Sequence, residues 1–262
     1  VLDMASAVTA YGKVKTKAQR NEAMPEGWMI DRQGQPLTDP KRANDGFLLH
    51  YQPVISLQGE PGAMYEAYVR LDGGEGELVF PQTFLPMAEE HGLIGDIDRW
   101  VVTQAIRVIG QRAQAGKPVQ LLVKITQASL EGDGMLKLIA SQLAVHRAPG
   151  QSLILQLPES KVFTHLKAAQ AFLEAATRLG VRVGLEQFGS GLNSMQLLSH
   201  FNPAFLKIDR AFMLDLPKSP EQQARIREMA DAARERGIHT IAEFVQDAAS
   251  MTFLFSSGVD YV

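Results

Sequence analysis

From Phe47 onward, short apolar runs alternate with longer segments of helical period. FLLHYQPVISL and AMYEAYVRL read as strands joined only by Gln58-Gly59-Glu60-Pro61-Gly62. A link that short cannot make a parallel crossover, so this pair is expected to be antiparallel. PQTFLPMAEEHG reads as a helix with Pro81 in its first turn. In DIDRWVVTQAIRVIGQRAQAG, Ile97, Trp100, Val101, Ala105 and Val108 share one helical face, and Gly116 follows as the stop. QLLVKI, SLILQLP, VRVGLEQ, AFLKID, HTIAEF and VDYV read as further strands. Between them, SLEGDGMLKLIASQLAVH, SPEQQARIREMADAARERG and DAASMTFLFSSG read as helices, with a short one near Ser194–Ser199. KVFTHLKAAQAFLEAATRLG reads as one helix with Val162, Leu166, Phe172, Leu173 and Leu179 inward, closed by Gly180.

Strand and helix in alternation predict an α/β fold. The simplest closed arrangement is a modified (β/α)8 TIM-like barrel with an antiparallel first strand. The barrel is expected over 47–262, truncated at its C-terminal end because the chain stops at Val262, in or just after the last strand. Residues 1–46 read differently, as an atypical N-terminal segment. A short basic helix carrying Lys13, Lys15, Lys17 and Arg20 as a solvated face precedes turns around Pro25, Gly27, Gly34, Pro36 and Pro40.

Composition narrows the classes. With 45% hydrophobic and 21% charged residues the chain is ordinary globular material. A net charge of -3 gives no basic field for a nucleic-acid polymer or an anionic membrane. There is no cysteine, hence no disulfide and no thiolate metal site. No apolar run reaches the roughly 18 residues of a membrane span, so no membrane insertion is expected.

The candidate chemistry sits at the strand ends, where a barrel builds its site. Glu66, Glu159, Glu186 and Glu243 could hold a divalent ion with oxygen ligands, or could be solvated and ion-paired rim residues. Lys124 stands where an inward ligand is expected, but an ammonium has no acceptor and cannot ligate a cation. Gln156 is a weaker ligand than a carboxylate. Arg70 lies on Glu66's side of its strand and suits phosphate capture or a Glu–Arg pair. The FGSG loop, Phe188–Gly191, could turn backbone N–H groups toward a phosphate, a weak signal by itself. The six histidines show no ligand spacing.

HYQPVISL, YEAYVRL, FPQTFLPMAEEHGLI, RWVV, PESKV, GLEQFGSGLNSM, FLKIDRAF, TIAEFV and SGVDYV stand in the order and spacing of the EAL domain family. The chain therefore resembles the bacterial cyclic-di-GMP phosphodiesterases over 47–262. That resemblance implies a barrel with an antiparallel first strand and a metal-ligand set. Carried over position by position, Glu66, Lys207 and Glu243 are retained. Lys124 stands for an asparagine, Gln156 for a glutamate, and Glu186 and Gln187 for a pair of aspartates. Tyr68 replaces the signature leucine, and Phe244 replaces a glycine.

The resemblance thus implies a barrel that has lost its water-activating ligands, is not an enzyme, and needs no catalytic metal or other cofactor. Gln52, Tyr68 and Asp98 match positions near the nucleotide, and Asp98 could accept from a guanine edge. Arg70, Lys124 and Lys207 could offset the phosphates, with Gln187, Glu66 and Glu243 at the same rim. Phe244 is either a face for guanine or a core aromatic. YEAYVR, AEFVQ and the altered aspartate pair are most similar to FimX-type receptors. These bind cyclic-di-GMP without cleaving it and act with PilZ-type partners in type IV pilus assembly and twitching motility, in the cytoplasm and at the cell pole. The rival expectations are a protein-interaction module without nucleotide, and a residual phosphodiesterase using Glu66, Glu159, Glu186 and Glu243. Residues 1–46, with LDMA, PEGW and TDP in order, resemble a fragment of the malate/lactate dehydrogenase family, too short to transfer hydride alone.

Overall fold

The computed structural model describes residues 46–72 and 78–262. The N-terminal segment, with its expected basic helix and turns, lies outside the described residues apart from Gly46.

The strands are β1 (Phe47–Val54), β2 (Ala63–Asp72), β3 (Leu78–Val79), β4 (Val119–Lys124), β5 (Leu153–Pro158), β6 (Arg182–Phe188), β7 (Phe205–Ile208) and β8 (His239–Ala242). The helices are α1 (Pro81–Glu90), α2 (Ile94–Gln114), α3 (Gly134–His146), α4 (Glu159–Thr164), α5 (Leu166–Arg178), α6 (Ser194–Leu197), α7 (Pro220–Glu235) and α8 (Ala248–Ser256). The sheet runs β1-β2-β4-β5-β6-β7-β8, with β3 added to β2. From β2 through β4 to β8 the neighbours are parallel, while β1 is antiparallel to β2 as its short link requires. That link is tightened by Ser56, whose Oγ accepts from the N–H groups of Gln58 (3.2 Å) and Glu60 (2.9 Å).

Asp260–Val262 closes the barrel. The Tyr261 N–H donates to Thr240 O on one side, and Val262 and Ile55 exchange N–H···O bonds of 2.9 and 2.7 Å on the other. Tyr261 bridges antiparallel to Ser56 and parallel to Ile241. The run read as a last strand is therefore the strip that joins the two sheet edges.

Helices form where local signals agree. Ser219 caps α7 through a bond from Gln222 N, and Pro220 occupies the first turn, where its missing N–H costs nothing. Asp247 caps α8 by accepting from Ser250 N at 2.7 Å. One expectation needs correction. The run from Lys161 to Gly180 is not one helix. His165, at φ -123 and ψ 38, breaks it into α4 and α5. The break lets α4 stay over the end of β5 while α5 turns down the barrel wall. β3 was not foreseen either, because two residues carry no readable period.

The barrel interior begins with an apolar layer of Met64, Leu122, Ile154, Phe205, Ile241 and Tyr261. Gly184 completes it. A Cβ there would sit 3.2 Å from the Phe205 Cβ, so the glycine makes room for the phenylalanine.

Candidate functional site

Side chains two residues apart on a strand share a face. Adding two to Met64, Leu122, Ile154, Phe205 and Ile241 reaches Glu66, Lys124, Gln156, Lys207 and Glu243. Period two thus places a polar layer directly above the apolar one, at the C-terminal ends of the parallel strands. The site of a barrel enzyme lies at that end.

The register of β6 against β7 explains how one more strand contributes two residues. Leu185 pairs with Leu206 and Phe188 with Ile208, so Glu186 and Gln187 share the single place opposite Lys207. This is a β-bulge, and Gln187 takes φ 56 to accommodate it. Strict alternation would have sent Glu186 and Gln187 to opposite faces. The bulge instead buries Glu186 at the rim and leaves Gln187 exposed beside it.

Charges in this layer are paired. Lys207 is 2% exposed, and its ammonium contacts Glu66 Oε2 and Glu243 Oε1. Lys124 Nζ lies 2.6 Å from Glu186 Oε2 and 3.8 Å from Glu66 Oε1. Burial works against the charge on Lys124, but Glu186, Glu66 and Glu243 outweigh it and hold its pKa above the ordinary value. The Tyr68 hydroxyl donates to Glu66 Oε2 at 2.7 Å. Gln156 is 1% exposed, and its Oε1 has no hydrogen-bond partner among the described residues.

Around this layer the remaining candidates take distinct places. Gln52 opposes Glu66 across the β1–β2 ladder and is exposed. Arg70 stands four residues up the strand from Glu66, a rise of about 13 Å. Its guanidinium lies over the rings of Tyr68 (5.4 Å) and Phe80 (4.7 Å). Asp98, on α2, is 5% exposed. One of its oxygens accepts from Thr126 N (2.7 Å), Thr126 Oγ1 (2.8 Å) and Ser129 Oγ (2.6 Å). Burial nonetheless dominates those donors and raises its pKa. Phe244 is 47% exposed, so it is a rim aromatic and not a core one.

Glu159 does not join the layer's ion pairs. Its Oε2 accepts from Gly189 N at 2.8 Å, and a Cβ on Gly191 would meet its Oε1 at 2.6 Å. The FGSG loop is thus packed onto Glu159, and the Gly189 N–H is already spent. The sequence did not single out Arg210, whose Cζ lies 5.5 Å from the centre of the Phe244 ring. It is exposed and falls inside the FLKIDRAF block, but its pairing with Phe244 joins segments that follow separate strands, so only the fold reveals it.

A pair of divalent ions does not fit these residues. An ammonium that can only donate stands among the carboxylates from β4, and another is buried between Glu66 and Glu243. Among the described residues no group of three His, Cys, Asp or Glu side chains is placed to hold a metal. No helix among them is long and apolar enough to cross a membrane.

The architecture is a closed α/β barrel, β1 reversed, with a charged layer at its C-terminal mouth. The chain belongs to the EAL domain family, whose model matches residues 38–262. A second model, malate/L-lactate dehydrogenase, matches residues 1–60. Among solved structures, the chain is similar to the Xanthomonas citri FimX EAL domain in complex with c-di-GMP. Identity is 53% and the TM-score 0.80, over 84% of this chain and 86% of that one. It is also similar to the Pseudomonas aeruginosa FimX EAL domain bound to c-di-GMP, at 32% identity and TM-score 0.79, over 86% of this chain and 90% of that one. Among curated proteins it is 30% identical to the cyclic di-GMP phosphodiesterase PdeR of Escherichia coli, over 83% of this chain and 33% of PdeR. The chain thus spans about a third of that relative's length.

Proposed function

We propose that this barrel is a receptor that binds cyclic-di-GMP without hydrolysing it. The observation that carries the reading is the contact of the Lys124 ammonium with Glu186 and Glu66. Hydrolysis by two metals needs carboxylates free to hold both ions and to lower the pKa of a bound water. Here a tethered cation takes those carboxylates instead. Removing the ligand function from Lys124 and Gln156 leaves the layer without the donor set for that chemistry, and no catalytic metal is part of this reading.

Binding does not require the metals. The layer holds three carboxylates (Glu66, Glu186, Glu243) and two ammonium groups (Lys124, Lys207), so its interior is close to balanced. Lys207 is spent on its two glutamates beneath the surface. The phosphates of cyclic-di-GMP would meet Lys124, whose side chain is 43% exposed, and Arg70 higher on the wall. Gln52, Gln187 and Tyr68 border the same mouth, and Asp98 lies behind it. Phe244 offers a purine an exposed face, a contact worth about 1–3 kcal/mol. The 53% identity to a FimX EAL domain that holds c-di-GMP supports the same ligand here. On that likeness the bound state is relayed to a protein partner of PilZ type in type IV pilus assembly and twitching motility, in the cytoplasm and toward the cell pole.

Titration calorimetry with cyclic-di-GMP in EDTA tests the reading. Binding at or below tens of micromolar is expected, about -6 to -7 kcal/mol. Its absence would overturn the receptor. Linear pGpG appearing with magnesium or manganese would instead establish hydrolysis.

A further inference from the structure

Phe244 combines two features that a folded chain ordinarily avoids. The residue is 47% exposed, and its backbone lies at φ 56, in the left-handed region where bulky residues are rare. Gln187, on the rim at β6, has the same φ of 56. Backbone strain of this kind persists where the surroundings hold it, and it gathers at functional sites.

What holds the Phe244 ring is visible in the register. Ile208 pairs with Ala242 in the β7–β8 ladder. Arg210 and Phe244 each lie two residues further on, so the two chain ends leave the barrel side by side. The Arg210 guanidinium sits over the Phe244 ring at 5.5 Å. It makes no hydrogen bond or ion pair among the described residues, so among them the ring is its one specific contact. An arginine that follows a strand at the mouth and spends its plane on an exposed aromatic is placed to hold that aromatic still.

We infer that Arg210 is a positioning residue for nucleotide binding. It bears on one face of Phe244 and presents the other face, at fixed pitch, to a purine base of the ligand. This rests on the receptor reading and adds to it the device that orders its stacking surface. Restricting the ring before binding lowers the entropy lost when the base stacks.

A double-mutant cycle on the whole chain, by calorimetry with cyclic-di-GMP in EDTA, tests it. Phe244→Ala should weaken binding about tenfold or more, and Arg210→Ala about threefold to tenfold. Arg210→Ala added to Phe244→Ala should bring no further loss, because the arginine acts through the ring. Arg210→Lys should lie between wild type and Arg210→Ala, since an ammonium keeps the charge but not the plane. Thermal midpoints of the Arg210 variants should match wild type, as the side chain is exposed. If Arg210→Ala binds like wild type, or its loss adds in full to that of Phe244→Ala, the inference fails while the receptor stands. If wild type itself does not bind, both fall.

Discussion

Two layers of side chains inside the barrel, two residues apart on β2, β4, β5, β7 and β8, behave oppositely. Met64, Leu122, Ile154, Phe205 and Ile241 form the lower layer; Glu66, Lys124, Gln156, Lys207 and Glu243 form the upper one. The lower layer is held by contact and exclusion of water, without direction. The upper is held by charge: Glu66, Lys124, Lys207 and Glu243 each depend on a named ion-pair partner, while the Oε1 of neutral Gln156 has none among the described residues. The lower layer also sets the terms for the upper one. An apolar floor keeps water from solvating Lys207 from below, so its charge is stable only between Glu66 and Glu243. Pairing in the mouth is therefore a consequence of packing beneath it.

The comparison breaks most sharply at Lys207. Lys207→Met leaves buried Glu66 and part-buried Glu243 without their shared counter-ion and should cost about 3–5 kcal/mol in urea unfolding. Adding Glu66→Leu should restore part of that loss. A plain packing role for Lys207 would show no such rescue.

One layer down, Ile154→Ala should cost about 2–5 kcal/mol through the cavity it leaves. Its cost should not vary between pH 5 and 8, because the layer's one titratable group, the Tyr261 hydroxyl, is pushed by burial above its ordinary value near 10. A cost that changed with pH would mean that the two layers are coupled more closely than their contacts indicate.

The smallest effect lies at the floor of the barrel, where Asp260 of the closing strip faces His239 in a partly exposed pair. Asp260 Oδ2 accepts from Thr240 N (2.7 Å) and Oγ1 (2.9 Å), and Oδ1 lies 3.8 Å from His239 Nδ1. The nearby Asp260 carboxylate raises the His239 pKa above its ordinary value. Burial pushes Asp260 up, but His239 and Thr240 outweigh it and hold its carboxyl below the ordinary value. The His239 contribution is complete below about pH 6.5 and is lost as pH rises through its raised pKa. The Asp260 contribution is present above about pH 4 and is lost as pH falls through its lowered pKa. His239→Gln should therefore flatten stability against pH above about 6, by roughly 0.2–1 kcal/mol since the pair is half exposed. Urea midpoints at pH 5.5 and 8 measure it; an unchanged difference between them would remove His239 from the clasp.

Much of the fold was legible. The five-residue link at Gln58–Gly62 announced the antiparallel pair, and the apolar runs marked the strands. The strand-end residues Glu66, Lys124, Gln156, Lys207 and Glu243 do converge, because alternation along a strand is a local property. The break at His165 was not legible, since the helical period continues across it. Nor was the bulge at Glu186–Gln187, because an extra residue shows only against a partner strand. Glu159 looked equal to the other glutamates, yet its Oε2 accepts from the FGSG loop.

By itself, then, the sequence determined the order of strands and helices, the reversal of β1 and the chemical identity of the mouth. Those follow from period, turn length and side-chain type, all of which act between near neighbours. Only the tertiary structure decided which charges meet: Lys124 with Glu186, Lys207 with Glu66 and Glu243, and Arg210 with Phe244. The reason is physical. Register between strands far apart in the chain sets those distances, and a Coulomb or cation–π contact exists only once distance is set.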